Sequence, residues 1–494
     1  MTLGIAWTVA LEGLHPTEVR VEATVGNGLP NFSVLGISGP SGAQAGARVR
    51  SALAAVGHDV GQRKVLVNLA PADVAKRGAR FDLAIAAAVL RALRAIPDGR
   101  DPLLGELALN GDVRGIPGVL PSVAGRVGVV VGWQNASEAV IAGVDRVLAV
   151  RTLLQLIEVA TGAAPVPTLP DPLPALPQSV PDLADVRGQS EARRALEIAA
   201  AGGHHLLLLG PPGAGKSMLA RRLPGLLPPL THDEALTVAS VRSVAGRQPA
   251  GQGLDHRPPF AAPHHSATSP ALLGGGSGIA QPGAISEACH GVLFLDELFE
   301  WSRHALDGLR QPLEEGVVRI ARAAATVTYP ADVLLVAASN PCQCGPARTG
   351  CRCRPDLLQR YRARLTGPLA DRFDLAPLIE PVPAEALGGE PDGESSSAVA
   401  ARVVAARAMA TARWGRVNAR TPTAQVRRSA SSAALQVLVR AARAGRLSAR
   451  GFDRALRVAR TCADLAGCDR IGADDAHEAV AHRARLDQVW DVAA

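Results

Sequence analysis

Apolar residues recur along this chain in two rhythms, and the points where the rhythm changes divide it into blocks. Up to residue 163, short β-type runs (VRVEATV, KVLVNLA, RVGVVVG, RVLAV) alternate with Ala-rich stretches of helical period (GAQAGARVRSALAAVG, FDLAIAAAVLRALRAI). That alternation predicts an α/β or α+β block over 1–163. Seven prolines then crowd into residues 165–181, where lost backbone donors and a fixed φ make a semi-rigid linker over 164–185. From 186 to 380 the apolar runs shorten to unbroken tetrads, Leu206–Leu209 and Val292–Leu295, which predict buried strands. The turn-rich stretch PVPAEALGGEPDGESSS (381–397) closes this block, and Ser397 is expected to cap a helix whose apolar face runs through Val399, Val403, Ala406 and Met409. The last block, 398–494, reads as helical throughout, with pieces at 398–413, 432–444, 448–466 and 473–486.

Length and composition sharpen this picture only a little. A chain of 494 residues suggests roughly three domains at about 150 residues each. With 47% hydrophobic and 20% charged residues, a wholly disordered chain is excluded. The net charge of +7 leans toward anionic partners, although three lysines against a large excess of arginine read as genome composition as much as function. Seven cysteines in a chain this long do not make a disulfide scaffold. The N-terminus lacks a basic leader, Glu12 interrupts its apolar stretch, and no run of 18 apolar residues occurs. The expectation is a cytoplasmic protein with reduced thiols and no membrane span.

The chemistry is concentrated in the middle block. Directly after Leu206–Leu209 comes Gly210, Pro211, Pro212, Gly213, Ala214, Gly215, Lys216, Ser217, a G-x-x-x-x-G-K-S motif between a strand and a helical pattern. Glycines are needed because the backbone must wrap phosphate oxygens with its own N–H groups. The following helix would add its positive end. Lys216 supplies a charge to the β- and γ-phosphates of ATP, and the Ser217 hydroxyl can ligate Mg²⁺. Eighty residues on, GVLFLDEL ends an apolar strand in Asp296, placed to hold Mg²⁺, and Glu297, placed to polarise the attacking water. VLLVAASN ends in Asn340, which either orients the same water or is a turn residue before Pro341. In GPLADRFDL, Arg372 is either an arginine finger reaching a neighbouring subunit's nucleotide or half of a local salt bridge with Asp371 and Asp374. Among Arg450, Arg454 and Arg457, Arg450 is the first choice and Arg457 the second for a γ-phosphate contact, against a solvated helix face. Val186 and Gln189 open the block where a backbone could clasp adenine, an assignment that rests on order alone.

This ordered series resembles an AAA+ ATPase: a P-loop NTPase core of the α/β class with a helical lid. GPPGAGKSMLARRLPGLLPPL, PHHSATSPALLGGG, GAISEACHGVLFLDEL and LTGPLADRFDL are similar to the magnesium-chelatase-like YifB/ComM family, and the similarity extends through NLAPADVAKRGARFDLAIA and SARGFDRALRVARTCADL to nearly the whole chain. The resemblance implies a homo-hexameric ring, ATP hydrolysis at subunit interfaces, and DNA translocation with branch migration. It also implies that 1–163 has the α+β fold of the Lon protease catalytic module. That module's Ser–Lys dyad falls here near Arg80 and Leu120, neither of which can act as acyl nucleophile or base, so the block is expected to be non-proteolytic. Gly39–Gly42 is read as a turn.

For DNA, the resemblance nominates the segment of His264 and His265 with Gly274–Gly276 behind it, and LEEGVVRIARAAATVTYP, read as a hairpin turning near Gly316 with Arg319 and Arg322 toward its exit. The alternative keeps both histidines structural or nucleotide-responsive. Cys342, Cys344, Cys351 and Cys353 form two C-x-C pairs in one loop, a candidate tetrahedral Zn²⁺ site against redox chemistry or idle thiols. Cys289, Cys462 and Cys468 are expected to be buried small hydrophobes. A DNA motor is the leading function; a protein-remodelling ATPase or chelatase-type motor subunit shares every one of these ATPase residues.

Overall fold

The computed structural model describes residues 2–37, 40–76, 78–176, 179–276, 280–321, 326–342, 344, 353–362, 367–382 and 393–491. The first strand is one that the alternating runs of the sequence do not announce. Thr2–Glu12 turns at Gly13, whose φ of +65° suits glycine, and pairs antiparallel with His15–Gly26. Lys64–Ala70 joins antiparallel and Asn31–Leu35 parallel, completing a four-stranded sheet. The helix Asp82–Ala92 lies across this sheet and is buried all round except at Arg91. It packs so closely on Thr2–Glu12 that a Cβ on Gly4 would come within 2.1 Å of the Ala88 carbonyl. A second, parallel sheet joins Leu103–Leu104, Gly128–Gly132 and Arg146–Val150.

The central sheet explains the unbroken apolar tetrads. Its strands run in the order Leu206–Leu209, Leu334–Ser339, Val292–Leu295, Phe260–Ala261, all parallel. Both faces are covered, as crossover connections require. Leu206, Leu208, Phe294 and Val336 point into one core with the helix Ser190–Gly202; Leu207, Leu209, Leu293 and Leu335 point into another with Phe299 and Trp301. Beyond this sheet, Val317–Ala321 and Thr326–Pro330 form a hairpin. Gly316 does not turn it: with φ +71° it closes the helix Arg310–Glu315, and the connection between the two strands lies outside the described residues.

The C-terminal helices are Ser396–Trp414, Thr423–Arg428, Ser432–Arg443, Ala449–Leu465 and Ala473–Asp491. The first is capped by Ser395 rather than Ser397, through the Ala398 N–H, and its buried face ends on Ala410 instead of Met409. No helix among the described residues is long and apolar enough to cross a membrane.

Two seams hold these parts together. At the first, Glu138 accepts hydrogen bonds from the Leu120 N–H at 3.0 Å, from Asn135 at 2.7 Å and from the Ser243 hydroxyl, and Gly118 N–H donates to the Ser243 carbonyl at 2.9 Å. Arg80 sits beside it, bonded to Ser122 at 2.9 Å, its pKa pushed down by burial to about 10. The end of the helix His232–Val244 therefore docks beside Arg80 and Leu120.

At the second seam, buried Asp374 accepts from the His205 N–H at 3.2 Å and from Arg454 at 2.7 Å, while His204 bonds Thr461 at 2.8 Å. Burial opposes the charge on Asp374, yet Arg454 and His204 hold it well below the usual carboxylate range. Burial also pushes the His205 pKa down to about 3, and its Nδ1 accepts from the Leu335 N–H at 3.1 Å. The unfolded chain protonates that imidazole near pH 6.5 and the folded chain does not. Stability should therefore fall as pH drops from 6.5 toward 3, by about 1.4 kcal/mol per unit from this residue. Asp374 contributes in a separate window, lost only below its ordinary value of 3.8. Urea midpoints at pH 7 and pH 5 check this; a His205→Gln variant should lose much of the difference.

Candidate nucleotide site

The loop after Leu206–Leu209 is built from glycines for identifiable reasons. A Cβ on Gly210 would meet the Ile379 carbonyl at 2.3 Å, while Gly213 and Gly215 have φ of +76° and +91°. The helix that follows, Lys216–Ala220, has only five residues, so the grip rests on loop amides and Lys216 more than on a macrodipole. Lys216 Nζ donates to the carbonyls of Gly210 and Pro211, both at 2.8 Å, and to Asn340 Oδ1 at 2.9 Å. Burial lowers its pKa and the nearby Asp296 opposes that shift.

Ser217 Oγ donates to Asp296 Oδ2 at 2.7 Å, and Asp296 Oδ1 accepts the Glu297 N–H at 2.9 Å. Trp301 Nε1 anchors the Asp296 carbonyl at 3.0 Å, a contact that no signal in the sequence announces. Glu297 stands in the left-handed region at φ +50°, a strained placement for a non-glycine residue of the kind concentrated at functional sites. Its side chain is 55% exposed, and Oε2 accepts from His265 Nδ1 at 2.7 Å. Lys216, Ser217, Asp296, Glu297 and Asn340 line one cavity of about 590 Å³, beside Tyr361. A hydroxyl next to a carboxylate is a hard-oxygen donor pair of the kind Mg²⁺ takes. Left-handed glycines and a lysine fit the phosphates that such an ion accompanies.

The other nominated residues are distributed differently. Val186 is fully buried in a hydrophobic core, whereas Gln189 ties the loop to its surroundings through the Ala214 carbonyl at 3.3 Å and the Glu380 carbonyl at 2.5 Å. Arg372 does not line the cavity of its own chain. It pairs with Glu314, and its Nε is buried without a hydrogen-bond partner. The local triad is not formed: Asp371 bonds Arg450 at 3.2 Å and Asp374 bonds Arg454. Arg450 is 69% exposed, and Arg457 is occupied by the Thr421 carbonyl at 2.9 Å and Thr423 Oγ1 at 3.0 Å. Neither lines the cavity.

His264 bonds Ser266 Oγ at 2.7 Å and packs at a tilt on His265 with ring centroids 4.1 Å apart, and His265 is the one of the pair that meets Glu297. Arg319 is paired with Glu315; Arg322 lies outside the described residues, as does Cys351. The sulfurs of Cys342, Cys344 and Cys353 all lie within 4.8 Å of one another. Cys289 and Cys462 are buried, with the Cys289 thiol pushed up to about 12 by burial, but Cys468 is exposed, contrary to the expectation for it.

Removing the lysine tests the phosphate cradle. Lys216→Ala should weaken ATP binding at least tenfold, since it deletes the one cation inside the cavity among the described residues. Fluorescent-nucleotide titration reads this directly, and an unchanged dissociation constant would count against the cradle.

Comparison with known proteins covers nearly the whole chain. Residues 21–128 match the family described as Subunit ChlI of Mg-chelatase, residues 182–387 match Magnesium chelatase, subunit ChlI, and residues 393–483 match Magnesium chelatase, subunit ChlI C-terminal. An uncharacterized protein of Mycobacterium tuberculosis is 46% identical over 98% of this chain and 99% of its own length. Competence protein ComM of Haemophilus influenzae is 40% identical, covering 98% of each chain. The protein YifB of Escherichia coli is 39% identical over 98% of this chain and 97% of its own. With these matches over 98% of its length, the chain belongs to the magnesium-chelatase-like YifB/ComM family of AAA+ ATPases.

Proposed function

We propose that the protein is an ATP-driven ring motor, a homo-hexamer that moves along single-stranded or branched DNA. The observation that carries this reading is the split of the ATPase residues. Lys216, Ser217, Asp296, Glu297 and Asn340 share one cavity, while Arg372 lies outside it, 14% exposed and held by Glu314. In this reading the guanidinium serves a nucleotide bound to the neighbouring subunit, where it would meet transition-state charge. Similarity to a competence protein over 98% of the chain favours DNA as the track.

Within the site, Lys216 exchanges backbone carbonyls for phosphate oxygens, and Asn340 keeps its amide beside it. Glu297 takes the proton of the attacking water once its carboxylate leaves His265. Ser217 and Asp296 would hold Mg²⁺, which supplies charge neutralisation at the phosphates. The 398–494 helices act as the lid. The 1–163 block is a Lon-like module without a nucleophile: Arg80 is spent on Ser122, and Leu120 lies where the ATPase helix His232–Val244 docks.

In this reading Cys342, Cys344 and Cys353 hold a structural zinc between sensor Asn340 and finger Arg372, and Cys351, outside the described residues, is the proposed fourth ligand. Protein purified without chelators should carry about one zinc per chain by mass spectrometry of the metal; none at all removes the site.

The DNA reading is tested by binding to forked and single-stranded DNA with a non-hydrolysable ATP analogue across a salt series. The expected result is affinity falling linearly, on logarithmic axes, with salt. Absence of any salt-dependent binding would shift the assignment to protein remodelling or a chelatase-type motor.

A further inference from the structure

A second cavity, of about 1490 Å³, takes no part in the nucleotide site. Its charged lining is four arginines, Arg221, Arg242, Arg247 and Arg257, against two carboxylates, Asp255 and Glu287. Asp255 is engaged by Arg257 at 2.7 Å and lies 3.9 Å from Arg242; Glu287 holds Arg247 at 2.5 Å. Arg221 has no carboxylate partner among the described residues. Its guanidinium lies 6.0 Å from the centroid of the Phe260 ring, which stacks on Phe294 at 5.9 Å. Positive charge is therefore left over after every internal pair is counted. The pairs that do exist are partly exposed and so weak enough for phosphates to replace them.

We propose that this cavity holds the backbone of a single nucleic-acid strand, with Arg221 and Arg247 as phosphate contacts. The proposal rests on the DNA-motor reading above and names where the strand is gripped. Size argues against a small anion, since pockets for single small molecules run to about 1,000 Å³. Guanidinium groups spread over several elements suit a repeating phosphodiester better than one compact ligand. Arg221 immediately follows the helix Lys216–Ala220, which carries the nucleotide lysine. Pro263 and Gly275, also in the lining, flank the segment whose His265 reaches Glu297. A strand in this cavity thus touches both the phosphate helix and the segment that restrains the water-activating carboxylate.

The test uses the full chain, a non-hydrolysable ATP analogue and a fluorescent oligo-dT, with affinity measured from 50 to 200 mM salt. Arg221→Ala and Arg247→Ala should each reduce the slope of log affinity against log salt by about 0.7, and the double variant by about 1.4. Arg221 is exposed and its side chain makes no hydrogen bond among the described residues, and Arg221→Lys should restore its share of the slope. Wild-type slope and affinity in the double variant overturn the proposal while leaving the motor reading in place. A wild-type protein that shows no salt-dependent binding removes both. Weakened binding accompanied by loss of the assembled ring, read by light scattering, assigns the cavity to contact between copies and also overturns it.

Discussion

A Glu297→Gln protein should bind ATP as the wild type does and hydrolyse it about 10²- to 10⁴-fold more slowly. The substitution keeps the shape of the side chain, and the amide oxygen can still accept from His265 Nδ1, so the left-handed backbone at this position has no new strain to relieve. Ser217 keeps its bond to Asp296, and Lys216 keeps its bonds to the Gly210 and Pro211 carbonyls and to Asn340. Only proton acceptance is lost. Steady-state phosphate release together with equilibrium nucleotide binding separates these effects. Turnover within tenfold of wild type would mean that another group activates the water, and weakened binding would mean that Glu297 belongs to the cradle.

Arg372→Ala should have an effect of similar or greater size, about 10³- to 10⁵-fold on hydrolysis, because an arginine finger meets charge that exists only in the transition state. ATP binding should survive, since Arg372 does not line the cavity of its own chain. The segment around it is well held without its side chain: Arg454 donates to the Arg372 carbonyl at 2.9 Å and Arg483 to the Phe373 carbonyl at 2.7 Å. Truncation also frees Glu314, which is 56% exposed and can return to water, so the fold should tolerate the change. If hydrolysis persists, the Glu314 pair is the residue's whole purpose.

How far these features were legible in the chain follows from how local their causes are. A phosphate loop must be glycine-rich and must follow a strand, so Gly210 to Ser217 could be read directly. The tetrads Leu206–Leu209 and Val292–Leu295 announced strands covered on both faces, because nothing polar had to face water. Local signals with two meanings misled. Gly316 suits a hairpin turn and a helix end alike, and closes a helix here. A row of serines at 395–397 offers several caps, and Ser395 is the one used. Long-range pairings left no trace at all: His265 with Glu297, Arg372 with Glu314, Ser243 with Glu138 across 105 residues. The family resemblance alone nominates His265 for DNA; its partner in the fold depends on how Phe260–Ala261 aligns with Val292–Leu295. The arginines of the second cavity come from positions 221 to 257 and converge only in the fold.

The central claim is a nucleotide site shared between two copies of the chain, and complementation between two inactive proteins tests it most directly. Lys216→Ala subunits should grip ATP poorly but still carry Arg372; Arg372→Ala subunits should grip ATP but lack the guanidinium. Mixed in equal amounts and allowed to exchange, they should regain a measurable part of wild-type hydrolysis, because some interfaces will pair an intact cradle with an intact Arg372. A mixture with demonstrated subunit exchange that stays as inactive as its two components would contradict the account.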